Sequence, residues 1–188
     1  MNILLIAIGS LIILAIIAAV IYNRYVKLKN LNEEGFHEIG ICLQKRLDLI
    51  PGLINVVKGY ALHEKETLEN VIKLRSQMEI IDKKNIDNIE KIKKIENETE
   101  KTLKSIMILQ ENYPDLKANE NFLKLQTQLM QIETEIQRSR RYYNGTARDR
   151  NIFVETFPNN FIGKILGFKK SKFLEITDKA EKTPEIKF

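Results

Sequence analysis

Two histidines, one cysteine and a few acid–base pairs are the residues of this chain with chemistry to offer. His63-Glu64 opens like a zinc-protease helix, but the chain continues Lys65-Glu66-Thr67 and brings no second histidine one turn on. A catalytic zinc needs three converging His, Asp, Glu or Cys ligands. His37 and His63, far apart in sequence, announce no such set, and His63 reads as a surface or helix-end residue. Asp48 with Arg46, and Glu133 with Arg140, have the types that general acid–base catalysis uses. On helices such neighbours read first as ion pairs or capping groups. The glycines form no phosphate-binding loop, and Ser10, Ser76, Ser105, Ser139 and Ser171 lack the context of a nucleophile elbow. Cys42, between Ile41 and Leu43, reads as a small buried hydrophobe, and alone it makes no disulfide framework. No catalytic, cofactor-binding or metal-ligating residue is assigned, no cofactor is expected, and the chain is not expected to be an enzyme.

The elements around these residues are helices. The chain has 188 residues, 44% hydrophobic and 29% charged, with only 8 glycines and 4 prolines. So few breakers leave long uninterrupted segments, and no strand-like alternation with turn dipeptides occurs. Apolar residues fall at Phe36, Ile39, Leu43, Leu47, Ile50, Ile54, Val57 and Ala61, in steps of three and four that mark one helix face. Pro51 predicts a kink near Asp48–Pro51, and Gly59-Tyr60 predicts a stop near residue 62. A second helix is predicted over about 65–81. A third spans about 86–112, with Ile89, Ile92, Thr99, Leu103 and Ile106 inward and a charged, solvated stretch over 91–104. Tyr113-Pro114-Asp115 breaks the chain, and Asp115 or Asn119 can cap a fourth helix. That helix carries the clearest pattern, from Phe122 through Leu129, Ile136, Tyr143 and Arg150 to Phe157, ended by Pro158.

Residues Ile3 to Tyr22 carry no charge. Twenty helical residues reach about 30 Å, the thickness of a bilayer's apolar core. The run exceeds a signal peptide's apolar region and lacks its basic start, so it reads as a retained transmembrane anchor. Arg24, Lys27 and Lys29 follow it, and the positive-inside rule then places the body in the cytoplasm and the short N-terminus outside. The net charge of +5 is diffuse and interleaved with acids, so no nucleic-acid partner is expected. The fold class is therefore all-α: a transmembrane helix in 1–25, an elongated antiparallel bundle of about four helices in 26–158, and a tail with a short amphipathic helix in 159–188.

The tail offers the one candidate contact surface. Phe161, Ile162, Ile165, Leu166 and Phe168 are spaced to share one side of a short helix, with Lys164, Lys169, Lys170 and Lys172 around them and no acid between 157 and 174. An apolar face ringed by lysine suits the surface of an anionic bilayer. Phe161, Lys164, Ile165, Phe168, Lys169, Lys170 and Lys172 are the expected membrane-surface contacts; the alternative is that this face packs back on the bundle.

Several blocks resemble the LemA family. They are Arg46-Leu47-Asp48-Leu49-Ile50-Pro51-Gly52-Leu53 with Val57-Lys58-Gly59-Tyr60-Ala61, and Tyr113-Pro114-Asp115-Leu116-Lys117-Ala118-Asn119-Glu120-Asn121-Phe122. Glu133 with Ile136, Arg140, Arg141, Tyr143 and Asn144 follows, then Phe157-Pro158-Asn159 and Gly167-Phe168-Lys169, with Pro184 and Phe188 near the end. The resemblance runs in order over about residues 22–188. It implies a single-pass bacterial membrane protein with a helical body and brings no catalytic residue or cofactor with it. Phe36 stands where the family usually has tryptophan, and Arg150 where it usually has an aromatic. The polar residues Arg46, Asp48, Asn119, Asn121, Arg141 and Asn144 are expected to cap and cross-link helices rather than to form a partner surface.

The expected function is a membrane-tethered, non-catalytic scaffold or interaction module. Its expected partners are the lipid bilayer and a protein, with no small-molecule substrate. Lipid-surface binding or membrane remodelling is the competing function, and an unrecognised hydrolase the third.

Overall fold

The computed structural model describes residues 2–60 and 88–174, and between them positions 69, 73, 74, 76, 77 and 79. The described residues form an all-α fold. Helix α1 (Asn2–Lys58) is followed by α2 (Ile89–Asn112), the single turn α3 (Pro114–Lys117), α4 (Glu120–Glu155) and α5 (Asn159–Leu166). The helix expected over 65–81 lies mostly outside the described residues; the positions described there are helical, and Leu74 is buried.

α1 is one helix of 57 residues, about 85 Å long. Its first third is apolar enough to cross a membrane, and the most apolar window is not covered by the rest of the protein. The helix then passes residue 25 without a break and becomes the first helix of the bundle. It also runs on through Pro51, where one backbone hydrogen bond is forgone, and ends at Lys58 before a turn at Gly59-Tyr60.

α4 returns antiparallel along α1, with Leu125 beside Gly52, Glu133 beside Arg46, Ser139 beside Cys42 and Tyr143 beside Gly35. Phe122, Leu129, Ile136, Tyr143 and Arg150 are buried at intervals of seven. On α1 two such rows face them, Phe36, Leu43, Ile50 and Val57 in one, and Tyr25, Asn32, Ile39, Arg46 and Leu53 in the other. A seven-residue repeat keeps one seam facing its partner along the whole pair, as in a coiled coil. α2 closes the core with Ile89, Ile92, Ile95 and Ile106, and α3 adds Leu116. Phe36 is fully buried against the Tyr143 ring at 5.8 Å.

Caps and breaks follow local chemistry. Asn119 caps α4 by accepting from Phe122 N (3.1 Å) and donates to Tyr60 Oη (3.2 Å). The row of core residues on α4 stops earlier than its spacing predicts. The helix ends at Glu155, two residues short of Phe157, which is 80% exposed.

The helix pair packs closely at Gly35. A Cβ built there would lie 3.1 Å from Tyr143 Cα and from the Tyr142 ring. Replacing Gly35→Val should push α1 and α4 apart and cost about 1–3 kcal/mol. Urea unfolding of the detergent-solubilised chain, followed by circular dichroism, should show a lower midpoint. An unchanged midpoint would mean that the close approach is not at Gly35.

Candidate functional site at the anchor end of the bundle

At the end of the bundle where the apolar part of α1 emerges, the chain reverses twice. After Glu155 it turns through a cis Phe157–Pro158 peptide into α5. Gly167 ends α5 in the left-handed region at φ 73°, a conformation that side chains strain, and Phe168 N donates to Gly163 O (2.8 Å). Gly163 is buried under Phe168, and a Cβ there would lie 2.8 Å from that ring.

Residues 168–174 then run without helix or strand along α1 and α4. Such a strap has backbone donors and acceptors to satisfy, and the helices beside it have none to spare. Side chains supply them. Asn151 Nδ2 donates to Ser171 O (3.0 Å), and Ser171 N donates to Asn151 Oδ1 (2.7 Å). Asn144 does the same for Leu174, at 2.8 Å and 2.9 Å. Tyr143 Oη donates to Lys172 O (2.7 Å), and Lys169 N donates to Tyr25 Oη (3.0 Å). The spacing explains the pairing. Seven residues of helix from Asn144 to Asn151 rise about 10.5 Å, and three residues of extended chain from Ser171 to Leu174 span about 10 Å.

Beneath the strap lies a buried polar cluster. Asn32 Nδ2 donates to Tyr143 O (3.3 Å) and Thr146 Oγ1 (3.2 Å), and its Oδ1 accepts from Ser171 Oγ. Arg150 is 6% exposed. It donates to Ser171 Oγ (2.8 Å) and Tyr25 Oη (2.9 Å), and its guanidinium lies 5.3 Å from the centre of the Tyr25 ring. Phe168 stacks on Tyr25 at 3.9 Å. The buried guanidinium is thus accommodated by two hydroxyls and a ring face. Burial pushes the Tyr143 hydroxyl up to about 12, although the Arg150 charge pulls it the other way.

The residues expected to touch a membrane surface divide between two sides. Phe161 and Ile165 are 68% and 75% exposed, and Lys164, Lys169, Lys170 and Lys172 are exposed as well. Phe168 turns inward onto Tyr22 and Tyr25, and Lys170 pairs with Glu155. Of the two asparagines that grip the strap, Asn144 is among the polar residues expected to cross-link the fold, whereas Asn151 carries no sequence signal beyond its separation of seven from Asn144. Their partners are irregular backbone 30 and 20 residues further on.

The candidates for chemistry are elsewhere. The two arginines pair across helices, Arg46 Nη1 with Glu133 (2.9 Å) and Arg140 with Glu96, whereas Asp48 accepts along α1 from Gln44 (3.2 Å). Arg46 and Arg140 border a cavity of 570 Å³ between α2, α4 and α1, and among the described residues its lining contains no serine, cysteine or histidine. Burial pushes the Cys42 thiol up; it lies 3.7 Å from Ser139 Oγ. His37 stands alone on α1 with a buried, unpartnered Nδ1, and His63 lies outside the described residues. Among the described residues, no group of three His, Cys, Asp or Glu is placed to hold a metal ion.

Two predictions follow from the clamp. Asn144→Ala or Asn151→Ala removes two hydrogen bonds, each of about 1 kcal/mol. Tryptic cleavage after Lys169, Lys170 and Lys172, read by mass spectrometry, should speed up by about tenfold or more. Equal rates in parent and variants would mean that the strap is not gripped there. Tyr143 is the second probe. Its hydroxyl rises from an ordinary value of 10 to about 12 in the fold. Its contribution to stability is therefore complete below pH 10 and falls as pH rises towards 12, by about 3 kcal/mol in all. The stability advantage of the parent over Tyr143→Phe, measured by urea unfolding, should shrink over that range. An advantage that stays constant from pH 9 to 12 would contradict it.

Comparison with known proteins places the chain. The LemA family model matches residues 35–188. Protein LemA of Metamycoplasma hominis is 27% identical over 144 residues, which are 77% of this chain and 64% of that protein. Magnetosome proteins MamQ 2 and MamQ 1 of Paramagnetospirillum magneticum are each 29% identical over 70 residues, 37% of this chain and 26% of theirs. The matched stretch covers less than two thirds of each of these relatives. The family match takes in both α4 and the strap that α4 grips, and the chain belongs to the LemA family.

Proposed function

We propose that this protein is a non-catalytic interaction module, held at a bilayer by the first third of α1 with its bundle in the cytoplasm. The observation that carries the reading is the unbroken α1. The same 57-residue helix that is apolar and uncovered at one end is the core helix of the bundle at the other. A hinge between anchor and body would let the body tumble, whereas a continuous helix mounts it at a fixed attitude. Arg24, Lys27 and Lys29 directly after the apolar stretch support the cytoplasmic placement. The strap and the buried cluster brace α1 against α4 at the point of emergence, where a tethered body meets the largest leverage.

The cavity beside Arg46 supports a structural reading better than a catalytic one. Arg46 with Glu133 and Arg140 with Glu96 satisfy one another's charge. Exposed apolar residues on the outer face of the bundle, such as Met130 on α4 and Ile108 on α2, offer contact area to a protein partner.

A photo-crosslinking residue at Met130 or Ile108, in bacterial cells expressing the full chain, should give a discrete adduct with another protein. That adduct should be lost when a flexible glycine-serine linker replaces residues 26–30. No adduct from any exposed position on α2 or α4 would contradict an interaction role. For orientation, a thiol introduced by Lys101→Cys should resist an impermeant maleimide until the cells are lysed. Labelling before lysis would place the body outside.

A further inference from the structure

α5 is eight residues long and presents two different faces. Gly163, Ile162 and the Phe168 ring that follows it turn toward the bundle. Phe161 and Ile165, one turn apart, point away from it, and Phe157 just before the helix is exposed as well. Nothing in the described fold covers this outer face.

Its place in the fold says what does. Asn159 borders a shallow groove with Arg24 and Leu28, and Phe168 meets Tyr22 and Tyr25. Both ends of α5 therefore stand at the level of residues 22–28 of α1, so α5 lies across the axis of α1 at the height where the anchor's apolar stretch ends. The surroundings of the outer face are basic. Lys164 and Lys169 flank it, Arg24 and Lys27 stand on α1 at the same level, and no acidic residue occurs from 157 to 174. Three acids of this end are engaged by bases: Glu155 by Lys170, Asp149 by Arg148 and Glu33 by Lys29.

We propose that the outer face of α5 docks on the anionic lipid surface of the bilayer that α1 crosses, with Phe161 and Ile165 in the headgroup boundary and Lys164 and Lys169 on the phosphates. The arrangement is that of an interfacial amphipathic helix. It rests on the membrane anchoring proposed above. Distance separates the lysines. The carbonyl of Lys172 is bound by the Tyr143 hydroxyl, and Tyr143 lies beside Gly35. Gly35 is 13 residues beyond Tyr22, about 20 Å along α1. A Debye length is about 8 Å, so Lys172 lies too far out to feel the surface. Lys170 is neutralised by Glu155. The docking charge is thus Lys164 and Lys169.

The test uses the full chain reconstituted in vesicles, one set of phosphatidylcholine alone and one with about a third phosphatidylglycerol. A polarity-sensitive fluorophore is attached at Phe161→Cys, at Ile165→Cys, or at Lys101→Cys as a distant reference; the buried Cys42 should take no label. In the anionic vesicles, labels at 161 and 165 should be quenched by spin-labelled lipid and shielded from iodide, and the label at 101 should behave oppositely. Lys164→Gln with Lys169→Gln should lower the docked-to-undocked ratio by about thirtyfold, at about 1 kcal/mol for each lysine. Lys172→Gln should leave it unchanged. Iodide quenching at 161 and 165 equal to that at 101 overturns the proposal. Shielding without lipid quenching also overturns it, because a protein then covers the face, and equal lipid quenching in both vesicle sets overturns the anionic assignment. Flotation after carbonate extraction reports the anchor separately, so a failure of anchoring is distinguished from a failure of α5 to dock.

Discussion

Irregular backbone laid against a helix pair must find hydrogen-bond partners that the helices' own backbones cannot give. In this protein that constraint governs the anchor end of the bundle. The strap 168–174 is held by side chains that imitate a neighbouring strand, Asn151 and Asn144 each offering a carbonyl and an amide to one residue. The match between two helical turns and three extended residues makes a separation of seven necessary. The same separation places both asparagines beside the buried row that includes Tyr143 and Arg150. Ser171 then reaches under the strap to Asn32 and Arg150, so that α1, α4 and the strap share one polar cluster. A buried charge without a carboxylate is tolerated because two hydroxyls and an aromatic face surround it. Polar residues in an otherwise apolar seam also fix register, since sliding α4 by one turn would separate Asn32 from Thr146 and Arg150 from Tyr25.

From this brace the rest of the molecule takes its geometry. α1 leaves the bundle as a continuation of its own axis, and α5 crosses it at the point of exit. Gly163 and Gly167 allow that crossing, one by admitting the Phe168 ring and the other by reversing the chain. On the proposed reading, function lies in placement: a bundle held at a set attitude to a bilayer.

Much of this was legible in the sequence, because long helices write their packing in periodicity. The apolar run, the steps of three and four on α1 and α4, the Tyr113-Pro114 break and the Asn119 cap all depend on neighbours within a turn or two. What escaped reading depends on residues far apart. The spacing puts Arg150 on the inward row of α4 but does not name its partners, since its burial requires Tyr25 and Ser171, 125 and 21 positions away. Arg46 looked like a partner for Asp48, yet helical geometry turns it across to Glu133. Phe157 continued the spacing of α4, but the chain leaves the helix at Glu155, before that position could face the core. Phe168 looked like part of the outward amphipathic face, but the left-handed turn at Gly167 swings it in against Tyr25.

The central claim is that side-chain hydrogen bonds, spaced by the helix repeat, hold the strap against α1 and α4. Hydrogen exchange on the full chain in lipid nanodiscs, resolved to single amides, tests it most directly. The amides of Lys169, Ser171 and Leu174 donate to Tyr25, Asn151 and Asn144, and the account predicts that they exchange as slowly as amides inside α4. Exchange of all three at the rate of an unstructured peptide would contradict it.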